Sequence, residues 1–574
     1  LFSVIIGDQY LQFYFNFQAY PNLDADLILS PSHLDKLKPL FSNPLTTWYA
    51  HKATFDLAFL AREGIFISGT IHCTRSIALI EYNEHQSYTL DACGERIGYS
   101  KDATVEDHIQ KNKLYEKRAG ATQSYTHKFF DRVPFPLISR YGARDAEVCY
   151  RLGHHQEKAL QGLADATPPA LPSVLNILRN ERRLTRTVFR MEHLGVRIDR
   201  PYCVQAARFE AARAAGALAE FKTHTGVDFK NSPKLFQEVF REDREFWGVT
   251  DKGNPSFASE ALQQFRNPGA KAVLTYRDAV SKENFYNGFI YHADRDDIVH
   301  PKFHQDGAGH GRFSSSDPNF QNLSNEEGIE LEQEFVVRRA IIPRPGFILL
   351  MPDFNTMEYS FLFDLACKQA GRESEIVRMM KEQGLDPHQA TANAVTAMGT
   401  PLTRKRAKNG NFAFLFGSGN ETLAATIGSS VSDAAALKSA LRKASPEVAA
   451  LIKLVTRTAE VRGWIFNWAG RRCHFPDPRF AYRAINYLVS GGCADINKMA
   501  LNAVDEYLLC KKSKMIMTIH DEIPIECHES EVAEVPRRVV ELMESIYPHE
   551  YLPITASMEW SDKSLADKTK GYPV

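Results

Sequence analysis

Cysteine is sparse and scattered: nine residues, an odd number, with no CxxC pair. That excludes a disulfide framework and a thiolate zinc site, and a reducing compartment fits. No run of about 18 apolar residues occurs, so no membrane-spanning helix is expected. The start, LFSVIIGDQY, lacks the basic region and small-residue cleavage site of a signal peptide. It also lacks an initiator Met, which predicts a natural N-terminus further upstream. Excess charge is missing too: 69 Lys and Arg face 70 Asp and Glu, a net charge of −1. Any polyanionic partner must therefore be met by locally segregated charge. The loop GxxxxGK[ST] is absent, which excludes a Walker-type phosphate site.

What is present is ordinary for a soluble folded chain: 44% hydrophobic and 24% charged residues. At 574 residues the chain is too long for one core, and length suggests about three or four domains. Residues 1–90 alternate short apolar runs (SVIIG, YLQFYF, TTWYA) with helical patterns such as SPSHLDKLKPLF, an α/β reading. Residues 101–128 are charged and polar, which predicts a surface excursion. The stretch DATPPALPSV, 165–174, has linker composition, and a long helical pattern, LNILRNERRLTRTVFRMEHLG, follows it. Residues 200–290 read as helical, and β-like runs return at 347–351 and 515–519 around a helix-rich block at 360–470. This order predicts an α+β sheet domain interrupted by a helical insertion.

Two acidic sites stand against apolar runs. FILLMPDFNTMEYSFLFDLA, 347–366, is a strand pattern that meets Asp353 and continues as an amphipathic helix. Asp353 alone could simply cap that helix. MIMTIHDEIPIEC, 515–527, sets His520, Asp521 and Glu522 in the middle of a second apolar segment, where they could be the polar turn of a hairpin. Together, carboxylates without nearby His or Cys clusters suit hard divalent cations of the kind used in phosphoryl transfer. Between them, TRKRAKNGNFAFLFGSG, 403–419, puts Arg404, Lys408 and Phe412 at i, i+4 and i+8 on one helical face. Such a face suits a triphosphate with a stacked base or sugar, or is a solvated basic helix. The polar stretch GRFSSSDPNFQN, 311–322, suits polynucleotide hydrogen bonding or a plain loop. Arg179, Arg182, Arg183, Arg186 and Arg190 form either a phosphate-tracking face or a salt-bridged helix. NSPKL, 231–235, reads as a capped helix start.

DFNTMEY with Asp353 and Glu358, RKRAKNGNFAFLFG, and IHDE resemble the three polymerase motifs of family A DNA polymerases. GRFSSSDPNFQN, DPHQATA (386–392) and NYLVSGGCADINKMAL (486–501) are similar to further segments of that family, in the same order, over about 165–574. The resemblance implies a right-hand polymerase: thumb 166–300, palm 301–360 and 480–574, fingers 361–479. It implies template-directed DNA synthesis, adding dNTPs to a primer 3′-hydroxyl with release of pyrophosphate, on primer–template DNA and using two Mg²⁺ ions, for which Mn²⁺ can substitute. Asp353 and Asp521 would be the metal ligands, with Glu522 beside them among the catalytic acids. Arg404, Lys408 and His388 would hold the triphosphate, Phe412 and Phe416 would contact the nucleotide, and Glu358 would occupy the space of a ribose 2′-hydroxyl. Arg312, Asn486, Ser490 and His520 match positions at the primer–template.

Two departures bear on selectivity. Phe416 stands where a Tyr is usual, which would leave Glu358 without a hydroxyl partner, and Ser490 stands where a Gln usually reads the template minor groove. Phe412, where some members have Tyr, implies poor use of dideoxynucleotides. Residues 1–165 resemble the family's RNase H-like 3′–5′ exonuclease domain: AHKATFDLAFL (50–60) carries Asp56, and YGARDAEV (141–148) carries Tyr141 and Asp145. Its DxE motif is absent from these residues and Lys52 replaces the usual Asn, so proofreading stays open. The other readings are a single-subunit RNA polymerase, against which Glu358 argues, and a catalytically silent DNA-binding module. A monomer in the cytoplasm of a bacterium or phage-infected cell, working with further replication factors, is the expectation.

Overall fold

A computed structural model describes residues 3–120, 124–169, 171–249, 253–323, 335–415, 419–427 and 429–573. The first strands, β1 (Ser3–Gly7) and β2 (Gln12–Asn16), form an antiparallel hairpin. Its turn is closed by Asp8, whose Oδ1 accepts from the amides of Tyr10 and Leu11 at 2.7 and 2.8 Å. Next, β3 (Thr47–Ala50) runs parallel to β4 (Thr70–Cys73). Parallel neighbours need a crossover, and helix α1 (Ala53–Arg62) supplies it. A 31-residue helix, α2 (Phe135–Asp165), lies across this region. It passes so close to Tyr49 that a Cβ at Gly153 would sit 2.0 Å from the ring.

The 101–128 stretch is more ordered than its composition suggests. Thr104–Lys111 is a helix whose Val105 and Ile109 are fully buried, and Tyr115–Arg118 pairs with Tyr125–Lys128 as an exposed hairpin. Two apolar residues four apart suffice to seat one helical turn, although charge dominates the average. Likewise the first helical pattern becomes a 3-10 helix, Pro31–Lys36, followed by one α-turn, Lys38–Phe41.

The linker at 166–173 gives way to α3 (Val174–Leu194), capped by Ser173, whose hydroxyl accepts from Leu175 N at 3.3 Å. The arginines of α3 bind the protein itself. Arg182 contacts Glu157 and His72, Arg183 contacts Glu506, Arg186 donates to the carbonyls of Ile67 and Gly69, and Arg190 pairs with Asp505. Of the two readings of this face, internal pairing holds: the helix rivets the N-terminal region to the C-terminal one.

His72 shows what that rivet requires. It is fully buried, its Nδ1 accepts from Arg182 Nη2 at 2.8 Å, and its Nε2 donates to Gln156 Oε1 at 2.9 Å. Burial lowers its pKa to about 4, with the Arg182 charge acting in the same sense. The unfolded chain therefore binds this proton first, and stability is lost as pH falls from about 6.5 towards 4, at up to ~1.4 kcal/mol per pH unit. Replacing His72 by Gln is expected to flatten the fall of the thermal midpoint between pH 6.5 and pH 4 relative to the parent; parallel curves would exclude this role.

Two long helices follow, α4 (Arg200–Thr225) and α5 (Gly269–His292), packed along each other. At their far end Phe221, Phe236, Phe240 and Phe257 build a separate small core. The NSPKL segment opens a short helix, Pro233–Val239, capped by Ser232.

Apart from four short two-stranded pairs among the described residues, including Trp464–Phe466 with Arg472–His474, the later strands form one five-stranded antiparallel sheet. Its centre is β5 (Phe347–Phe354), flanked by β7 (Ile525–His528) and β8 (Ala556–Ser561), with β6 (Lys514–Met515) and β9 (Thr569–Lys570) outermost. Helices α6 (Met357–Ala370), α7 (Pro387–Ala397), α8 (Arg404–Leu415) and others intervene before the long α9 (Ala484–Leu508), which leads to β6, while α10 (Val535–Glu544) joins β7 to β8. This is the interrupted sheet that the order of patterns predicts. Because β5 is buried along nearly its whole length, it reads as a continuous apolar run.

Candidate active site

Asp353 is the exposed residue in the otherwise buried second half of β5. The second acidic segment returns alongside it. Ile519 and Glu522 exchange backbone hydrogen bonds at 3.0 and 2.9 Å, Ile523 N donates to Pro352 O at 3.0 Å, and Glu522 bridges Asp353 across the pair. IHDE is thus a tight turn, with His520 in the left-handed region at φ 54°. The hairpin-turn reading holds, and the turn sets Asp521 at the same cavity as Asp353.

The three acids differ in their surroundings. Glu522 is buried, and both its oxygens are taken: Oε2 accepts from Arg338 Nη1 at 2.8 Å and Oε1 from Lys568 Nζ at 3.0 Å. Among the described residues, Asp353 and Asp521 have no such ion pair. Both face a cavity of about 410 Å³ that is also lined by Gln321, Asn322, Arg338 and His520. Solvent reaches Asp353 from the cleft, yet the protein behind it, then the charges of Glu522 and Asp521, push its carboxyl up to about 7. Dehydration pushes Asp521 up to about 6, against the pull of Arg312. Uncompensated, crowded carboxylates are a donor set that fits a hard divalent cation. No group of three or more His, Cys, Asp or Glu that could hold a metal converges among the described residues, at this cleft or any other, so substrate oxygens and water would have to complete the coordination here.

The turn is pinned from outside. Gln321 Nε2 donates to Thr518 O at 2.6 Å and its Oε1 accepts from His520 N at 3.0 Å, while Asn497 Nδ2 donates to His520 O at 2.9 Å. Sequence reading missed Gln321, Asn497, Arg338 and Lys568. The only signal for Gln321 was its place in GRFSSSDPNFQN. Gln321→Ala is expected to lower kcat for primer extension by about 10- to 100-fold with a smaller change in KM, since misplacing a reacting group costs rate. A pure KM effect would contradict a positioning role.

Glu358 opens α6. Its Oε1 accepts from Ser490 Oγ at 2.6 Å and from Arg312 Nη2 at 2.5 Å. The expectation that Glu358 lacks a hydroxyl partner is therefore corrected: α9 supplies one, from the residue expected to have shortened a DNA contact. Asn486 lies one turn earlier on α9, half-buried. The cationic face forms as predicted on α8, with Arg404 and Lys408 exposed. Arg404 Nε pairs with Asp386 Oδ2 at 2.9 Å, the cap of α7. His388 is buried under this pair with its ring against Tyr359, and burial lowers its pKa to about 4, so it is neutral at pH 7. Phe416 and the side chain of Phe412 lie outside the described residues.

In the N-terminal region, Asp56 on α1 and Asp145 on α2 both act on the buried Cys149 thiol between them. Dehydration on its protein side pushes the Asp56 carboxyl up to about 7. Tyr141 and Asp145 are bridged by Lys101, whose Nζ stands 3.1 Å from Asp145 Oδ2 and donates to Tyr141 Oη at 3.1 Å. Tyr141 thus accepts a hydrogen bond from an ammonium that the sequence reading passed over. Lys52 adopts the left-handed conformation, at φ 64°, just before α1.

The five-stranded antiparallel sheet thus presents Asp353, and the turn beside it Asp521, to one cavity, with a cationic helix lying between the two acids in sequence. The DNA polymerase family A model matches residues 205–565 and a 3′-5′ exonuclease model matches residues 12–161, and the chain belongs to DNA polymerase family A. DNA polymerase I of Chloroflexus aurantiacus is 27% identical over 560 residues, covering 92% of this chain and 56% of that protein. DNA polymerase DpoZ of Salmonella phage PMBT28 is 26% identical over 534 residues, covering 82% and 80%. The chain thus spans little more than half the length of the bacterial relative. In fold it is similar to the POL domain of Pol1 from M. smegmatis, described in complex with DNA primer-template and dNTP, with a TM-score of 0.76, 22% identity, and 95% and 90% of the two chains covered.

Proposed function

We propose that this chain is a template-directed DNA polymerase that adds dNTPs to a primer 3′-hydroxyl and releases pyrophosphate, in replication or repair. The observation that carries this reading is the meeting of Asp353 and Asp521 at one cleft, both without a cationic partner among the described residues, while the adjacent Glu522 is fully paired. In this reading residues 301–360 and 480–574 are the palm, 361–479 the fingers and 166–300 the thumb.

Family A polymerases and their exonuclease domains generally use divalent metals, and Asp353 and Asp521 would hold Mg²⁺ here. When bound, two such ions stabilise the attacking and leaving oxygens of phosphoryl transfer. The chain's own residues do the rest. Glu522 holds its turn rigid through Arg338 and Lys568, a buried arrangement whose geometry depends on both partners. Arg404 and Lys408 attract the triphosphate, and Arg404 would exchange Asp386 for phosphate oxygens. Arg312, Asn486 and His520 line the approach of the primer–template, and Glu358 blocks the place of a 2′-hydroxyl. No helix among the described residues is long and apolar enough to cross a membrane.

The test is extension of a labelled primer on a DNA template with Mg²⁺ and either dNTPs or NTPs. Extension with dNTPs in strong preference to NTPs supports the reading; equal use of NTPs would favour RNA synthesis, and no extension would leave a DNA-binding module.

A further inference from the structure

The contacts of Glu358 are unequal. Arg312 is half-exposed on the cleft side, where the primer–template is proposed to lie, whereas Ser490 is almost completely buried behind the carboxylate. Both donate to the same oxygen, Oε1. A nucleic acid that draws the Arg312 guanidinium towards its own acceptors removes one of the two bonds. Burial shields the bond from Ser490 against competition from the cleft.

The short serine side chain reaches Glu358 only because α9 runs unusually close to its neighbours. A Cβ at Gly491 would come 2.8 Å from His310 O, and one at Gly492 would come 2.5 Å from the Phe361 ring, on the same helix as Glu358. Two consecutive glycines thus allow the backbone approach that places Oγ at 2.6 Å. The charges of Arg312 and Glu358 are both felt at Asp521, so this cluster belongs to the reacting end of the cleft.

We propose that Ser490 is a positioning residue for sugar selection: it holds Glu358 in place once Arg312 has engaged the primer–template. This rests on the polymerase reading above and deepens it. Ser490 touches neither nucleotide nor metal; it acts through Glu358, which would fill the space of a ribose 2′-hydroxyl.

The experiment measures kcat/KM for one correct dNTP and the matching rNTP on a fixed primer–template, using the parent, S490A, S490T, E358A and S490A/E358A, each checked for an unchanged thermal midpoint. S490A is expected to lower the dNTP-to-rNTP ratio about tenfold, equivalent to ~1.4 kcal/mol. S490T, which keeps the hydroxyl, is expected to retain most of the parent ratio, and S490A is expected to add nothing in the E358A background. If E358A leaves the ratio unchanged, the assignment of Glu358 fails and the proposal with it. If E358A lowers the ratio but S490A does not, or if S490A lowers it equally with Glu358 absent, the proposal alone is overturned. Should S490A lose its fold, S490T and S490C decide: a ratio kept by the first and lost by the second supports the proposal, and the same ratio in both overturns it.

Discussion

Asp521→Ala is expected to abolish the proposed primer extension, lowering kcat by about a thousandfold or more, equivalent to ~4 kcal/mol of transition-state stabilisation. The size follows from the geometry. Asp521 and Asp353 are the only acids at the cavity without a cationic partner among the described residues, so either one's loss removes about half of the protein's charge available to a metal pair. Stability is expected to move the other way. Removing a carboxylate whose pKa burial has raised relieves the folded state of a crowded charge, so the thermal midpoint of Asp521→Ala at pH 8 should match or exceed that of the parent. Single-nucleotide incorporation with Mg²⁺, alongside thermal unfolding, checks both. Retention of more than about a tenth of the parent kcat would sink the site assignment.

The largest effect on stability is expected at Arg471, which no sequence motif contains. Its guanidinium is buried and binds Asp495 through Nε and Nη2, at 3.0 and 2.7 Å, while Nη2 also donates to Glu181 Oε1 at 2.6 Å. Lys498, fully buried, donates to the same Glu181 oxygen at 2.7 Å and to Gln305 O at 2.7 Å. Two cations and two anions thus tie α3, α9 and the strand Arg472–His474 together, in surroundings where none can be solvated. Replacing Arg471 by Met keeps bulk but leaves two buried carboxylates against one ammonium, at a cost of about 3–5 kcal/mol. A fall of at least about 5 °C in the thermal midpoint is expected. A fall of less than about 1 °C would show that water or relaxation replaces the lost charge.

The same network reaches the site. A Cβ at Gly311, which sits at φ 96°, would come 3.2 Å from the Arg471 guanidinium carbon, and Lys498 lies 5.5 Å from the centre of the Phe313 ring. Arg312 is therefore held between two residues that rest on buried charge. Neither cation was legible beforehand, because an Arg beside a turn or a Lys in a helix pattern ordinarily reads as solvent-facing.

Much of the architecture was legible for a simple reason. Burial on one or both faces writes itself into local composition, so FILLM announced the central strand and the helical periods after it announced an insertion. MIMTI is buried as expected, but only its Met515 lies in a strand, because the chain turns at IHDE and pairs through Ile525–His528 instead. The acids were visible as interruptions of those runs. Where charge masked a weak apolar pattern, at Val105 and Ile109, the same reasoning overlooked a helix. The hydroxyl on Glu358 was sought at the wrong place, because adjacency in a motif says nothing about which side chain of a distant helix arrives first.

By itself, the sequence determined the order of elements, the two acids of the cleft and the cationic helix between them, since each is encoded in local spacing; its motifs also carry the resemblance to the polymerase family. Tertiary structure alone decided which charges are spent on the protein and which remain for a ligand. Glu522 pairs with Arg338, 184 residues away, and Gln321 grips a turn 199 residues further on. Arg183 and Arg190 reach Glu506 and Asp505 across more than 300 positions. Such pairings depend on how separate helices and strands pack, and no period in a linear chain records them.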